Sequence, residues 1–594
     1  MSYRRKKLLA LFFAMALSMT AVAGCTGIKS STGNVVSSET ETNAEETSAQ
    51  SEAGTFSSAD MFTERDLAGT YEESGAVYVT LSDDGIAGET DGVVIDGQMV
   101  TITAEGTYIF SGTLSEGQIV VDADNAKVQI VFDNVDITCA SSAAVYVKSA
   151  EKVFVTLAEG SQNTLRNTDE YVAIDDNNID AVIFAKSDLT LNGTGSLTII
   201  SAEGHGIVSK DDLKIIGGTY DITAAGHALS GKDSVRIADG TFILTAEKDG
   251  IHAENADDEE KGYIYIADGD FTITSDGDGM DASNIVQIED GTLDITAGGG
   301  SANSLKTHES DVPGGPGGGM PQNGEKLDGE SMPQMGEKPD GENMPQDTTT
   351  DESGTSTKGI KAGGGMYLNG GTYQIDSADD SIHSNANITI ADGTYTLATG
   401  DDGVHADDAL IVNGGTITVT ESYEGLEGLT VTINDGTIDI TASDDGINTA
   451  GEKMELNGGY IHILAGGDGV DSNGDLTING GEIYIDGPSD NGNSAIDYGD
   501  RSSAYVNGGT LVAIGSSGMA EGMSDSSKQK VLMVKLGEQM EAGDVVLTDS
   551  EGNVIVSYTA LKTYDCVIIS TAEVESGATY TLTTSGTTTE VTAE

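Results

Sequence analysis

The chain has no tryptophan, only three cysteines and seven prolines, and few cations: 28 lysines and arginines stand against 98 aspartates and glutamates, a formal charge of −70. Each shortage excludes something. So anionic a surface repels phosphate backbones and acidic lipid headgroups, which removes nucleic acid and the membrane surface as direct partners. Three cysteines cannot staple a disulfide scaffold, and Cys139 and Cys566 read as solitary buried thiols. With aromatics at 5% and no indole, a flat stacking platform for crystalline cellulose is poorly supplied.

What the chain does have is glycine, 79 of them, placed with a period. The signature Asn/Asp-Gly-(Gly)-Thr ends at Gly195, Gly218, Gly240, Gly269, Gly291, Gly371, Gly393, Gly415, Gly436, Gly459, Gly481 and Gly509, mostly in steps of about 22 residues. A second signature follows about 11 residues after each glycine, as in Asp249-Gly250-Ile251-His252, Asp402-Gly403-Val404-His405 and Asp468-Gly469-Val470-Asp471. Periods of this length with short β-rich segments mark a solenoid, whose turns bury their apolar faces only by stacking. Within a turn, stretches such as Thr416-Ile417-Thr418-Val419 alternate with period 2 and favour β-branched residues, which predicts strands and excludes helical repeats. The fold class expected is all-β, a parallel β-helix with three short strands per turn.

The ends and one interruption depart from the period. Arg4-Arg5-Lys6-Lys7, an apolar run from Leu8 to Leu17 and Val22-Ala23-Gly24-Cys25 read as a lipoprotein signal peptide over 1–24, with Cys25 as the lipidation site. Two acyl chains would anchor the protein stably to the extracellular face of a bacterial membrane. Residues 25–60, rich in Ser, Thr and Glu, are expected to be a disordered linker, and 61–305 the N-terminal cap and first part of the helix. A Gly/Pro/Met-rich insertion over 306–358 is expected to be disordered; the helix continues over 359–522, and a small β domain over 523–594 closes it.

Stacked turns place equivalent residues one strand spacing apart, about 4.8 Å. Asp380, Asp402, Glu424, Asp445 and Asp468 then form one column, and Asp379, Asp401 and Asp444 a second beside it. Unit charges at that distance repel by about 1 kcal/mol in water and several-fold more near a protein. Calcium, which takes carboxylate and carbonyl oxygens in flexible geometry, relieves this. The predicted ligands are Asp379, Asp380, Asp401, Asp402, Asp444, Asp445, Asp468 and Asp471, with Asp276, Asp278 and Asp281 as a second cluster. Against them stands ordinary turn chemistry, which explains any single Asp-Gly but explains doubled aspartates less well. His383 and His405, one turn apart, read either as a transition-metal pair or as outward polar positions. A row of lysines, Lys186, Lys210 and Lys232, with Arg236 nearby, reads either as neutralisation of neighbouring carboxylates or as the candidate surface for a polyanionic sugar.

Taken in series, Asp188-Leu189-Thr190-Leu191-Asn192-Gly193, Lys210-Asp211-Asp212-Leu213, Lys248-Asp249-Gly250-Ile251-His252 and the downstream Asp-Asp-Gly repeats resemble the secreted carbohydrate-binding-domain family of calcium-binding right-handed parallel β-helices, similar in fold to pectate lyases. The resemblance covers about residues 60 to 590 and implies binding of cell-wall polysaccharide, pectin-type or cellulosic, with calcium and without established catalysis. It places the protein as a monomer partnered by polysaccharide. Gly204-His205-Gly206 departs from it, with histidine where the repeats favour aspartate. Two other readings remain at this point: a calcium-dependent polysaccharide lyase with Arg236 or a column lysine as base, and an adhesin or surface spacer.

Overall fold

A computed structural model describes residues 56–88, 91–172, 174–306, 356–499 and 501–593, without the Glu452 side chain. The signal peptide, Cys25 and nearly all of the linker and insertion lie outside the described residues.

Three parallel strands make each turn. In one turn they are Ile382–Ser384, Ile388–Ile390 and Thr394–Thr399, each paired in register with its counterpart a turn later: Ile382 with Val404, Ile388 with Leu410, Tyr395 with Ile417. The fold is the parallel β-helix that the period requires. Period-2 alternation decides which face turns inward: in Thr437–Ala442, Ile438 and Ile440 are buried while Thr437, Asp439 and Thr441 are exposed. The 22-residue register survives the interruption, since Met280 pairs with Ile360 and Leu293 with Tyr373 across it.

The glycine signature has two physical causes. Gly459 holds φ +83°, and a Cβ there would lie 2.6 Å from the carbonyl oxygen of Gly436 in the turn below, so only glycine permits this corner to stack. In the first such turn the left-handed residue is Gly193 (φ +97°) rather than Gly195. The signature's asparagines then run as a ladder: Asn434 donates to Asn413 (2.8 Å), Asn457 to Asn434 (2.9 Å), Asn479 to Asn457 (2.8 Å) and Asn507 to Asn479 (2.9 Å). Asn457→Ala breaks two of these exposed bonds, and urea unfolding should register a loss of about 1 to 2 kcal/mol. Inside, aromatic rings stack at matching positions, Tyr220 on Phe242 at 5.2 Å and Tyr373 on Tyr395 at 4.5 Å. The buried tyrosine hydroxyls donate to their own corner carbonyls, Tyr373 to Gly370 and Tyr395 to Asp392.

Both ends are closed. Parallel pairing starts at Val77–Leu81, beside Gly106–Leu114. At the far end the last strand, Thr510–Gly515, is covered by the antiparallel strand Tyr564–Ser570, beyond which lies a four-stranded antiparallel sheet. Cys139 and Cys566 are buried and free, and burial pushes both thiols up to about 11.

The segment Phe56–Thr70 spans the expected end of the disordered linker and the expected start of the N-terminal cap. It carries the short helices Ser58–Met61 and Glu64–Leu67 and lies against successive turns: Phe56 exchanges hydrogen bonds with Gln287, Met61 accepts from Arg236, and Thr70 accepts from Gln129. Ordered chain therefore begins before residue 60. A capping box between Thr63 and Asp66 shapes the second helix and buries Asp66 fully, with Lys152 Nζ at 2.6 Å and Thr190 Oγ1 at 2.8 Å. Burial opposes its ionisation, but these partners outweigh it and hold Asp66 at about 2.

Candidate metal and ligand sites along the acidic column

Two columns run along one corner of the solenoid. The first holds the residue before each Gly-φ step: His205, His227, Asp249, Asp278, Lys358, Asp380, Asp402, Glu424, Asp445 and Asp468. The second holds the residue after it, and strand register gives its order as His252, Asp281, Lys361, His383, His405, Glu427, Asn448, Asp471 and Asp497.

The first column has a structural duty that single-residue reading missed. A side-chain acceptor of its aspartates takes the backbone N–H of the next turn: Asp402 N–H to Asp380 Oδ1 (3.1 Å), Glu424 N–H to Asp402 Oδ1 (3.2 Å), Asp468 N–H to Asp445 Oδ1 (2.7 Å) and Ser494 N–H to Asp468 Oδ1. Histidine does the same where it replaces aspartate, since His227 N–H donates to His205 Nδ1 (2.9 Å). Burial therefore meets no compensating anion at His205, which is held down at about 3. The departure at Gly204-His205-Gly206 keeps the acceptor and drops the charge. Where aspartate stands, Oδ2 remains for other work.

What meets that second oxygen divides the column. Around the insertion it meets lysine. Lys306 reaches Asp379 (2.7 Å) and Asp401, and Lys358 reaches Asp379 (2.9 Å) and Asp380 (2.6 Å). Both ammonium groups are largely buried yet stay charged, because the carboxylates outweigh their desolvation. Asp380 is kept ionised by Lys358 and His383 despite its burial, while burial with Asp402 and Asp380 pushes Asp401 up to about 9. Lys361 likewise sits between Asp278 (3.5 Å) and Asp281 (3.4 Å), and Asp276 is exposed. Lysines thus stand where calcium was expected at Asp379, Asp380 and Asp401, and at Asp278 and Asp281. Lys306 and Lys358, placed by sequence at the edges of the disordered insertion, are ordered.

Further along, oxygen stands alone. Asp445, Asp468 and Asp471 bring carboxylate oxygens within 4.8 Å of one another, and among the described residues none of them meets a Lys, Arg or His. Burial, then neighbouring carboxylates, pushes Asp445 up to about 8, Asp468 to about 7 and Asp471 to about 6. The next turn is cut back to admit the doubled pair: a Cβ on Gly467 would collide with Oδ1 of both Asp444 and Asp445. An oxygen-only, strongly acidic, half-buried group of this kind suits a hard cation.

At the opposite end lysines and histidines gather among acids. Lys186, Lys210 and Lys232 do stack, their backbone amides bonded in sequence to Val147, Ala185 and Ser209. Lys210 and Lys232 line a groove of about 400 Å³ with His205, His227, Lys248 and His252, but Glu254 and Asp257 line it too, and Lys232 is paired with Asp257 at 2.7 Å. Arg236 is not part of it. Its Nη2 donates to both carboxylate oxygens of Asp212 (3.0 and 2.9 Å), its Nη1 donates to the Met61 carbonyl, and the guanidinium lies over the Tyr263 ring, under the N-terminal segment. That position removes it as a sugar ligand and as a base.

A model of the family described as "Carbohydrate-binding domain-containing protein" matches residues 96–403 and 401–551. The chain belongs to that family. A relative of the same description from Acetivibrio thermocellus is 40% identical over 139 residues, 23% of this chain and 49% of the relative, so the match spans about half the relative's length. The chain is also similar to a solved structure described as a polysaccharide lyase-like protein from C. thermocellum, a gadolinium derivative: 36% identity, 38% of this chain, 92% of that one, TM-score 0.37. As a member of the carbohydrate-binding family, the protein carries two chemically distinct stretches on one corner. One is a groove where lysines and histidines are mixed with acids, the other a group of carboxylates without a described cation.

Proposed function

We propose that the protein is a surface lipoprotein, anchored through Cys25 outside a bacterial membrane, that binds acidic cell-wall polysaccharide with calcium. The single observation that carries this reading is the group Asp445, Asp468 and Asp471, whose charges no described lysine, arginine or histidine neutralises. Those residues, with Asp444 beside them, would hold the ion; a bound calcium supplies positive charge and open coordination positions for uronate oxygens. Lys210 adds direct charge for a further carboxylate, while Lys232 is already paired with Asp257 at 2.7 Å. The lack of tryptophan speaks for charged over flat apolar recognition.

Retention on immobilised polygalacturonate tests this. With calcium the wild-type chain should be retained; chelator or Asp468→Asn should weaken retention at least about tenfold, a loss of about 1.4 kcal/mol. Folded protein that is not retained under any of these conditions would leave only the spacer reading. Release of unsaturated uronide would instead indicate a lyase, which would need a base other than Arg236.

A further inference from the structure

Between the lysine-neutralised and the oxygen-only stretches the column contains nitrogen. His383 Nδ1 lies 2.9 Å from Asp380 Oδ2, and His405 Nδ1 lies 3.1 Å from Asp402 Oδ2 and 3.2 Å from Glu427 Oε2. His383 is 8% exposed, and its Nδ1 makes no hydrogen bond of acceptable geometry. Two groups able to hold an ion meet here, Asp380-His383-His405 and Asp402-His405-Glu427, with His405 common to both.

We propose that His383 and His405, with Asp402 and Glu427, form a second metal site of a different class, for a borderline divalent ion such as zinc. Imidazole nitrogen mixed with carboxylate suits that class, whereas calcium takes oxygen. The separations of 3.1 and 3.2 Å from His405 to Asp402 and Glu427 are close to the edge of a tetrahedron about zinc, roughly 3.3 Å for bonds near 2.0 Å, and His383 offers a nitrogen within 4.8 Å of that of His405. Asp380 is already held by Lys358, so Asp402 and Glu427 supply the oxygens.

Ring geometry separates this pair from the other histidine cluster. His227 and His252 stack at 4.1 Å with planes 9° apart, so their in-plane lone pairs run parallel and cannot converge on one ion without ring rotation. His383 and His405 are 5.0 Å apart with planes at 64°, an angle at which both lone pairs can meet. The second site therefore belongs to the turns of His383 and His405. It goes beyond the calcium reading and does not depend on it.

Cobalt(II) is the probe, titrated into the full chain and followed by its visible d–d absorption. Wild type and Asp468→Asn should bind it, His383→Gln and His405→Gln should each bind at least about tenfold more weakly, and excess calcium should not displace it. Circular dichroism checks that the variants fold, and anomalous scattering from zinc-soaked wild-type crystals locates the ion independently of any variant. A peak within about 2.1 Å of both imidazoles supports the site. Binding indifferent to both histidine changes, complete displacement by calcium, or zinc found only at Asp445, Asp468 and Asp471 overturns it.

Discussion

In chelator, the protein's thermal midpoint should fall as pH rises from about 6.5 to 8, and saturating calcium should raise it and flatten that slope. Asp445 and Asp468 begin from 3.8 in the unfolded chain and are raised in the fold to about 8 and about 7. Through this window the folded state retains protons that the unfolded state has released, so stability declines with pH. His405 acts in the same direction: burial lowers it, but Asp402, Asp380 and Glu427 outweigh burial and raise it from 6.5 to about 10. Its contribution is complete below 6.5 and fades as pH climbs toward 10. Below the window, His205 and Asp66 oppose, since lowered groups lose their contribution as pH falls. Asp445 alone accounts for about 1.4 kcal/mol per pH unit, or about 2 kcal/mol across the window. Calcium at a hundredfold over its dissociation constant adds about 2.7 kcal/mol. Asp445→Asn gives the inverse signature: more stable than wild type in chelator, because a repelling charge is gone while the amide oxygen still accepts Asp468 N–H, and without the calcium gain. Scanning calorimetry at three pH values, with and without calcium, measures all of this; a wild type indifferent to calcium would end the reading.

Asp66→Ala should be the most damaging single change outside the apolar core. It leaves the largely buried Lys152 ammonium and the buried Thr190 hydroxyl without their carboxylate, and breaking one partner of a buried pair costs about 3 to 5 kcal/mol. It also removes the capping box, about 1 kcal/mol more. The loss should be local. Hydrogen exchange should accelerate along Phe56–Thr70 and in the turns from Gln129 to Gln287 that it covers, with the turns after Gly371 unaffected, because solenoid turns couple to their neighbours. Asp66→Leu combined with Lys152→Met should recover part of it, since a matched apolar pair leaves no stranded charge. Unchanged exchange in Asp66→Ala would show that the segment contributes no stability.

Asp380, Asp402 and Asp445 were legible as a column because a 22-residue period and a two-residue alternation carry register without any knowledge of packing. The same period gave the three strands per turn, the row Lys186-Lys210-Lys232, and the outward slot that holds His383 and His405. Lys306 could not be assigned to Asp379 and Asp401 from sequence, because it borders a stretch without periodicity, where register is undefined; the repeat resumes in register at Lys358, but which carboxylates its long side chain meets is decided by packing. Arg236 looked available because it lies near the lysines in sequence. In space it lies on another strand, beneath a segment about 175 residues earlier in the chain.

The amino-acid sequence by itself determined the solenoid and the alignment of its carboxylates, since strand alternation and glycine corners are local properties that repeat. Only the tertiary structure decided what each carboxylate does. Whether Oδ2 meets lysine, histidine or another aspartate depends on neighbours brought together through space, and at these spacings the identity of that neighbour outweighs everything the residue carries on its own.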